Sequence, residues 1–212
     1  MDLLISGLNE YLESLLEPEA ELLQKINRET QLKVLMPRML SGHYQGRILS
    51  LLSKLIRPNC ILEIGTFTGY ATLCLAEGLR NEGIIHTIDI NEELEDRVRA
   101  YFESSAHRDQ IQYHIGDALE IIPKLDIQPD LVFIDADKKS NAVYFDLIFD
   151  RLSPGAVILI DNVLWSGKVL HHEKVDKDTS LIIELNEKIK NDPRVEQVML
   201  PIRDGLWIIR KR

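Results

Sequence analysis

Four acidic residues stand where a folded chain would gather them for chemistry. Glu63, Asp89, Asp135 and Asp161 each fall at or near the end of a short apolar run: CILEI, IIHTID, DLVFID and AVILID. One acid in such a place is commonly the cap of a following helix, because Asp is a favoured capping residue. Capping explains four together poorly, and they suggest a site that needs several acceptors or negative charges. If the strands ending in Asp135 and Asp161 are neighbours, their carboxylates repel unless one is protonated or a cation lies between them. Asn162 adds a neutral oxygen beside them. Two carboxylates, an amide oxygen and open positions suit a hard cation such as Mg²⁺, with Mn²⁺ or Ca²⁺ as alternatives. His171 and His172 are adjacent and point apart, so they read as a solvated loop and not as zinc ligands. Lys138 follows Asp135 closely, at the expected start of the next helix. A nearby cation and partial desolvation both disfavour an ammonium, which would make Lys138 a general base. On charge pattern alone it reads as a surface residue of the run Asp137-Lys138-Lys139.

The first acid lies in Glu63-Ile-Gly65-Thr-Phe67-Thr-Gly69-Tyr70. A strand running into a glycine-bearing turn and then a helix lets a ligand approach the backbone. Its Gly-x-x-x-Gly spacing is not the dinucleotide fingerprint. An acid closing the second strand, as Asp89 does, commonly binds ribose hydroxyls, so the two features together indicate a nucleoside-bearing cofactor. Asp117 and Ala118 follow the third strand and either frame an adenine ring or cap the helix expected over 118–125.

These residues need a scaffold to bring them together. From Cys60 onward, short β-rich runs alternate with helical stretches, and strands so apolar on both faces belong in a covered, mostly parallel sheet. The alternation predicts a doubly wound α/β domain. Val195–Leu200 and Leu206–Arg210, joined through Arg203-Asp204-Gly205, predict a closing hairpin and an antiparallel end to the sheet. Before Cys60 the chain reads as helices: Leu4, Leu8, Tyr11, Leu12, Leu15 and Leu16 recur at helical spacing, Pro18 marks a break, and a third helix is expected over 42–56. With 212 residues and no repeat or linker, a single domain (1–212) is the simplest organisation, with N-terminal helices (1–57) and an α/β core (58–212).

Composition narrows the classes. Hydrophobic residues at 45% and charged residues at 28% are ordinary for a globular protein. No apolar stretch approaches a membrane span, and the acidic start is no secretory signal. Cys60 and Cys74 sit in apolar runs and read as buried thiols of a reduced, cytoplasmic compartment. A net charge of −9 argues against broad binding to phosphate backbones. There is no Tyr-x-x-x-Lys, no phosphate-binding Gly-Lys-Ser/Thr loop and no Gly-x-Ser-x-Gly elbow, which removes common competitors for such a sheet.

In this order, Glu-Ile-Gly-Thr-Phe-Thr-Gly-Tyr, Asp89, Gly-Asp-Ala, Phe-Ile-Asp-Ala-Asp-Lys and Ile-Asp-Asn-Val-Leu-Trp-Ser-Gly resemble the metal-dependent O-methyltransferases that include the catechol and caffeoyl-CoA enzymes. The likeness runs from about Met39 to the closing Leu-Pro-Ile-Arg-Asp-Gly-Leu. It implies a Rossmann-like, seven-stranded sheet with an antiparallel last strand, and S-adenosylmethionine as methyl donor. Gly65, Phe67, Gly69, Tyr70 and Ala71 would line the cofactor loop, with Glu63 at its amino-acid end and Asp89 at the ribose. Asp117 and Ala118 would lie by the adenine, and Met39 and Ser41 near the transferred methyl. Asp135, Asp161 and Asn162 would ligate the metal, Asp135 also bordering the cofactor, with Lys138 as base. Trp165 would wall a small aromatic hydroxylated acceptor, or else be a core tryptophan. The resemblance also implies a homodimer.

One departure limits the acceptor. The catechol enzyme carries an acid shortly before the final Asp-Gly, where this chain reads Pro201-Ile202-Arg203. A catecholamine is therefore disfavoured, and Arg203 would suit an anionic acceptor. The loop 166–180, rich in Lys and His, is expected at the acceptor entrance. Two other readings stand beside this one. A tRNA hydroxyuridine methyltransferase would use the same site, with a basic strip around Arg38, His43 and Arg47. An NAD-binding dehydrogenase or regulatory module would use the same sheet.

Overall fold

Seven strands form one sheet in the computed structural model, whose described residues are 7–171 and 175–212. β1 (Cys60–Ile64), β2 (Ile84–Asp89), β3 (Ile111–Ile115), β4 (Leu131–Ile134) and β5 (Val157–Asp161) run parallel. β6 (Val195–Leu200) and β7 (Leu206–Lys211) form the expected hairpin. The order β3-β2-β1-β4-β5-β7-β6 reverses between β1 and β4, the switch point beyond which open sheets of this kind bind ligands. β7 is antiparallel to β5, as expected, but it lies inside the sheet and β6 forms the edge. The residues explain this placement. Leu206, Trp207 and Ile209 of β7 are buried, while β6 exposes Val198 together with Glu196 and Gln197, whose polar side chains blunt the open edge.

The helices are α1 (Leu8–Ser14), α2 (Glu21–Lys33), α3 (Gly42–Ile56), α4 (Tyr70–Ala76), α5 (Glu95–Glu103), α6 (Ala118–Ile121), α7 (Asn141–Phe149) and α8 (Lys177–Lys190). Leu4 and His172 lie outside the described residues, and His171 is exposed. Two expected helix bounds differ. α6 stops after four residues and continues as a 3-10 turn over Ile122–Lys124, because Pro123 has no N–H with which to extend an α-helix. Lys138 precedes α7 and does not begin it; it sits in a turn where the Asp137 carboxylate accepts from the N–H groups of Lys139 and Ser140.

Alternation along the strands divides the core. Leu62, Ile64, Val132, Ile134, Ile158, Ile160 and Ile209 pack on one face with α6, α7 and α8. Ile61, Leu131, Phe133, Val157 and Leu159 pack on the other with α2, α3, α4 and α5. α3 buries Gln45, Gly46, Leu49, Ser50 and Ser53 on one stripe against α4. Gly46 allows that close approach, since a Cβ there would stand 2.7 Å from the Tyr70 ring. The glycine thereby brings its neighbour Gln45 against the sheet.

Candidate active site

The two-residue period of a strand decides where the four acids point. Glu63 shares the face of Ile61, Asp89 that of Ile85 and Thr87, Asp135 that of Phe133, and Asp161 that of Leu159. All four therefore open toward the α3–α4 side at the carboxyl ends of the strands. β4 and β5 are neighbours with Ile134 paired to Ile160, so Asp135 and Asp161 occupy adjacent positions.

Glu63 has no exposed surface. One of its carboxylate oxygens, Oε2, accepts from the hydroxyls of Thr72 and, at 2.6 Å, Thr87, while Oε1 is buried without a partner. Burial pushes this carboxyl up to about 8 against the pull of the two threonines. An unpartnered buried acceptor is costly, and it fits the cationic amino end of a ligand. Above it, the turn from β1 into α4 passes through Gly65, whose φ is 103°. A Cβ there would stand 2.1 Å from the carbonyl oxygen of Asp135, so only glycine lets the turn rest on the end of β4. Asp89 fixes the same turn. Its Oδ2 accepts from Phe67 N at 2.6 Å and its Oδ1 from Asn91 N at 2.8 Å.

Asp161 is 3% exposed, and Asp135 keeps about one-fifth of its side chain in contact with solvent. Burial, and then the charge of Asp135, push Asp161 up to about 7; burial also raises Asp135, with Lys138 and Arg203 opposing. Lys138 lies between the groups, Nζ donating to Asn162 Oδ1 at 2.6 Å and standing 3.7 Å from Asp135 Oδ1. Asn162 adopts a left-handed backbone (φ 61°), which asparagine tolerates better than most residues. Among the described residues, no three Cys, His, Asp or Glu side chains converge on one point. The donors are thus two carboxylates and one amide oxygen, which fit a hard cation that keeps water or substrate oxygens on its other positions and do not fit a closed zinc site.

A pocket beside this pair is lined by Met39, Leu40, Ser41, Gly65, Thr66, Phe67, Thr68, Tyr70, Ala71 and Asp135. Met39, Ser41, Gly65, Phe67, Tyr70, Ala71 and Asp135 were expected together from the sequence, and the fold brings them together. Gly69, the N-cap of α4, is not among the lining residues and packs toward Phe102 and Val98. The Tyr70 hydroxyl donates to Glu19, which ties this wall to the segment before α2. Asp117 and Ala118 lie outside the lining: Asp117 caps α6 by accepting from Leu119 N, and Ala118 is buried on the opposite sheet face. Trp165 is partly buried in the loop after β5, its indole N–H without a partner.

Arg203, expected to suit an anionic acceptor, is an exposed residue anchored at the start of α3. Its guanidinium donates to the carbonyls of Ser41 and Arg38 and to Gln45 Oε1. Of the basic strip, Arg38 stays exposed. Arg47 pairs with Glu77 at 2.6 Å, and the His43 ring has a buried, unpartnered nitrogen. Three residues of the site went unforeseen: Thr72 and Thr87 around Glu63, and Gln45, which donates to Asp161 at 2.8 Å. Only Thr87 carried a signal, two positions before Asp89 on the same strand face.

Comparison with known proteins identifies the family. The model of the O-methyltransferase family matches residues 13–212. Caffeoyl-CoA O-methyltransferase 1 of Eucalyptus globulus is 33% identical over 179 residues, covering 79% of this chain and 72% of that protein. Caffeoyl-CoA O-methyltransferase 5 of Nicotiana tabacum is 31% identical over 207 residues, covering 92% and 85%. Among solved structures, the O-methyltransferase of Bacillus cereus in complex with SAH superposes with a TM-score of 0.89 at 29% identity, covering 97% of each chain. A Streptomyces achromogenes O-methyltransferase of tomaymycin synthesis, in complex with SAM, gives 0.88 at 28% identity, covering 97% and 96%. No described helix is long and apolar enough to cross a membrane. The chain belongs to the O-methyltransferase family, as a class I S-adenosylmethionine-dependent enzyme of the same type as the caffeoyl-CoA O-methyltransferases.

Proposed function

We propose that this enzyme methylates one hydroxyl of a small aromatic vicinal diol of the caffeoyl kind, with a divalent cation, Mg²⁺ first, held by Asp135, Asp161 and Asn162. The observation that carries the reading is the pairing of Asp135 and Asp161 at adjacent strand ends, with Lys138 and Asn162 against them and the expected cofactor pocket alongside. S-adenosylmethionine supplies the methyl group as an electrophile on sulfonium sulfur. The cation, when bound, supplies charge that favours the ionised hydroxyl.

The chain's own residues do the rest. Glu63 Oε1 receives the amino end of the cofactor and Asp89 its ribose hydroxyls, through the lone pairs left free by Phe67 and Asn91. Asp117 borders the base from the cap of α6, with Ala118 packed behind it in the core. Met39 and Ser41 close the pocket over the reacting methyl and keep water from it. Lys138 Nζ takes the hydroxyl proton, and Trp165 with the following loop packs on the acceptor ring. Most of the rate enhancement then comes from holding oxygen and methyl in line.

Two copies associate in this reading. α3 leaves Leu51 and Leu55 59% and 73% exposed, and α1 with its C-cap leaves Tyr11 and Leu15 60% and 65% exposed, apolar area that a second subunit would cover. Free Cys60 and Cys74 suit a reducing cytoplasm.

The test pairs calorimetric titration of S-adenosylmethionine with methyl transfer to caffeoyl-CoA and caffeic acid, in Mg²⁺ and in EDTA. The expected result is cofactor binding with turnover that EDTA abolishes and that Asp135→Ala lowers at least a hundredfold, as expected for loss of a charge-stabilising group. Turnover that is unchanged in EDTA sinks the metal role. Cofactor binding with turnover on tRNA, and none on phenolic acceptors, replaces the substrate.

A further inference from the structure

The turn between β6 and β7 reaches back to the beginning of α3. Arg203 stands in it with a left-handed backbone (φ 48°). Its Nη1 donates to Ser41 O at 2.6 Å and to Gln45 Oε1 at 2.8 Å, and its Nη2 donates to Arg38 O at 3.2 Å. Gln45, 1% exposed, donates from Nε2 to Asp161 Oδ2 at 2.8 Å. Asp161 Oδ1 accepts from Asn162 N at 2.8 Å. The Gln45 amide has one favourable orientation. Turned over, it would set its oxygen against a carboxylate and its NH₂ against a guanidinium. Each Asp161 oxygen therefore has one lone pair committed and one free, and the carboxylate cannot swing away from Asp135 without breaking a buried hydrogen bond.

We propose that Gln45 and Arg203 are positioning residues: Arg203 fixes the Gln45 amide, the amide aims Asp161, and the same guanidinium ties that aim to the segment 38–41 that walls the cofactor pocket. This rests on the reading of Asp135, Asp161 and Asn162 as cation ligands. Neither residue touches the reacting atoms. Outer hydrogen bonds of this kind hold a ligand's direction, and losing one typically weakens a metal site by about 10–100-fold. Small cations demand near-octahedral geometry, whereas Ca²⁺ accepts irregular sites. A loosened Asp161 should therefore lose Mn²⁺ more than Ca²⁺, a distinction that general damage to the fold would not make.

The experiment measures Mn²⁺ binding by electron paramagnetic resonance, and Ca²⁺ by competition, on the full chain saturated with S-adenosylhomocysteine. The variants are Gln45→Met, Arg203→Met, Arg203→Lys and the double methionine variant. The expected result is Mn²⁺ affinity down about tenfold in Gln45→Met, with Ca²⁺ affinity down less than about threefold. Arg203→Met should behave likewise, the double variant should be no worse than Gln45→Met, and Arg203→Lys should recover most of the loss. If Gln45→Met does not fold, the two Arg203 variants in the turn carry the same test. Equal losses of Mn²⁺ and Ca²⁺, additive losses in the double variant, or Mn²⁺ affinity within about twofold of the parent in the methionine variants overturn the inference alone. A parent protein that takes up no Mn²⁺ overturns the metal reading and this inference with it.

Discussion

Replacing Glu63 by Gln separates the cost of this buried acid from its use. The side chain has no exposed surface, two threonine hydroxyls on one oxygen and none on the other, and burial lifts it from an ordinary 4.5 to about 8. A carboxyl raised in the folded state favours the protonated folded protein. Its contribution to stability is fully present below about pH 4.5 and is lost as the pH rises through about 8. Each unit corresponds to about 1.36 kcal/mol, so keeping Glu63 in place costs about 2 kcal/mol at pH 6 and about 3.4 kcal/mol at pH 7. For comparison, burying one Leu or Phe contributes about 1.5–3 kcal/mol, so one or two core side chains offset it. Gln keeps the shape and an oxygen for Thr72 and Thr87, and removes the titration. Without cofactor, the melting temperature of Glu63→Gln minus that of the parent should be near zero at pH 4.5. It should grow with pH to roughly 4–8 °C at pH 6, for a chain of this size. Scanning calorimetry at half-unit steps from pH 4.5 to 7.5 reads this difference directly. The same variant should bind S-adenosylmethionine about 10–100-fold more weakly, the worth of one charge-assisted hydrogen bond. A melting difference that stays flat across the range would refute the argument, whatever its sign.

Gly65→Ala forces a Cβ to within 2.1 Å of the Asp135 carbonyl at a φ of 103°, so urea unfolding should show a loss of about 3 kcal/mol or more; a loss under about 1 kcal/mol means the turn does not rest on β4. Lys138→Met should lower turnover by about 10²–10⁴-fold with cofactor affinity within about threefold, and unaltered turnover removes it as base. Leu51→Lys with Leu55→Lys should halve the mass measured by sedimentation, whereas a parent protein that already sediments as one chain ends the dimer proposal.

Much of the sheet is legible in the sequence because parallel strands buried on both faces are short, nearly uninterrupted apolar runs, and their last residues are the ones the solvent-facing crevice leaves polar. The acids at 63, 89, 135 and 161 could be placed from that rule alone. The pocket-lining turn 65–71 could be placed too, because a strand leading into glycine and then a helix has few geometries. Other parts carry no local signal. Gln45 is one polar residue in a helix of ordinary composition, and only the close approach at Gly46 sets it against Asp161. Arg203 looks like a free cation until the turn that carries it is seen to dock on the start of α3. The end of α6 was legible in Pro123, although the helical pattern continues past it to Leu125. The inner position of β7 follows from its burial on both faces, which the hairpin pattern alone does not specify.

The grip of Arg203 on Ser41 joins residues 162 positions apart, and that of Gln45 on Asp161 spans 116. Contacts of such range close large loops and form late, after the entropy of bringing distant segments together has been met. In a refolding chain, helices and the paired parallel strands can recover before the hairpin docks on α3. Circular dichroism should therefore return ahead of cation and cofactor binding. Under mild denaturant the contacts of the Arg203 turn should be lost before the sheet itself, so that binding falls while most of the backbone is still folded.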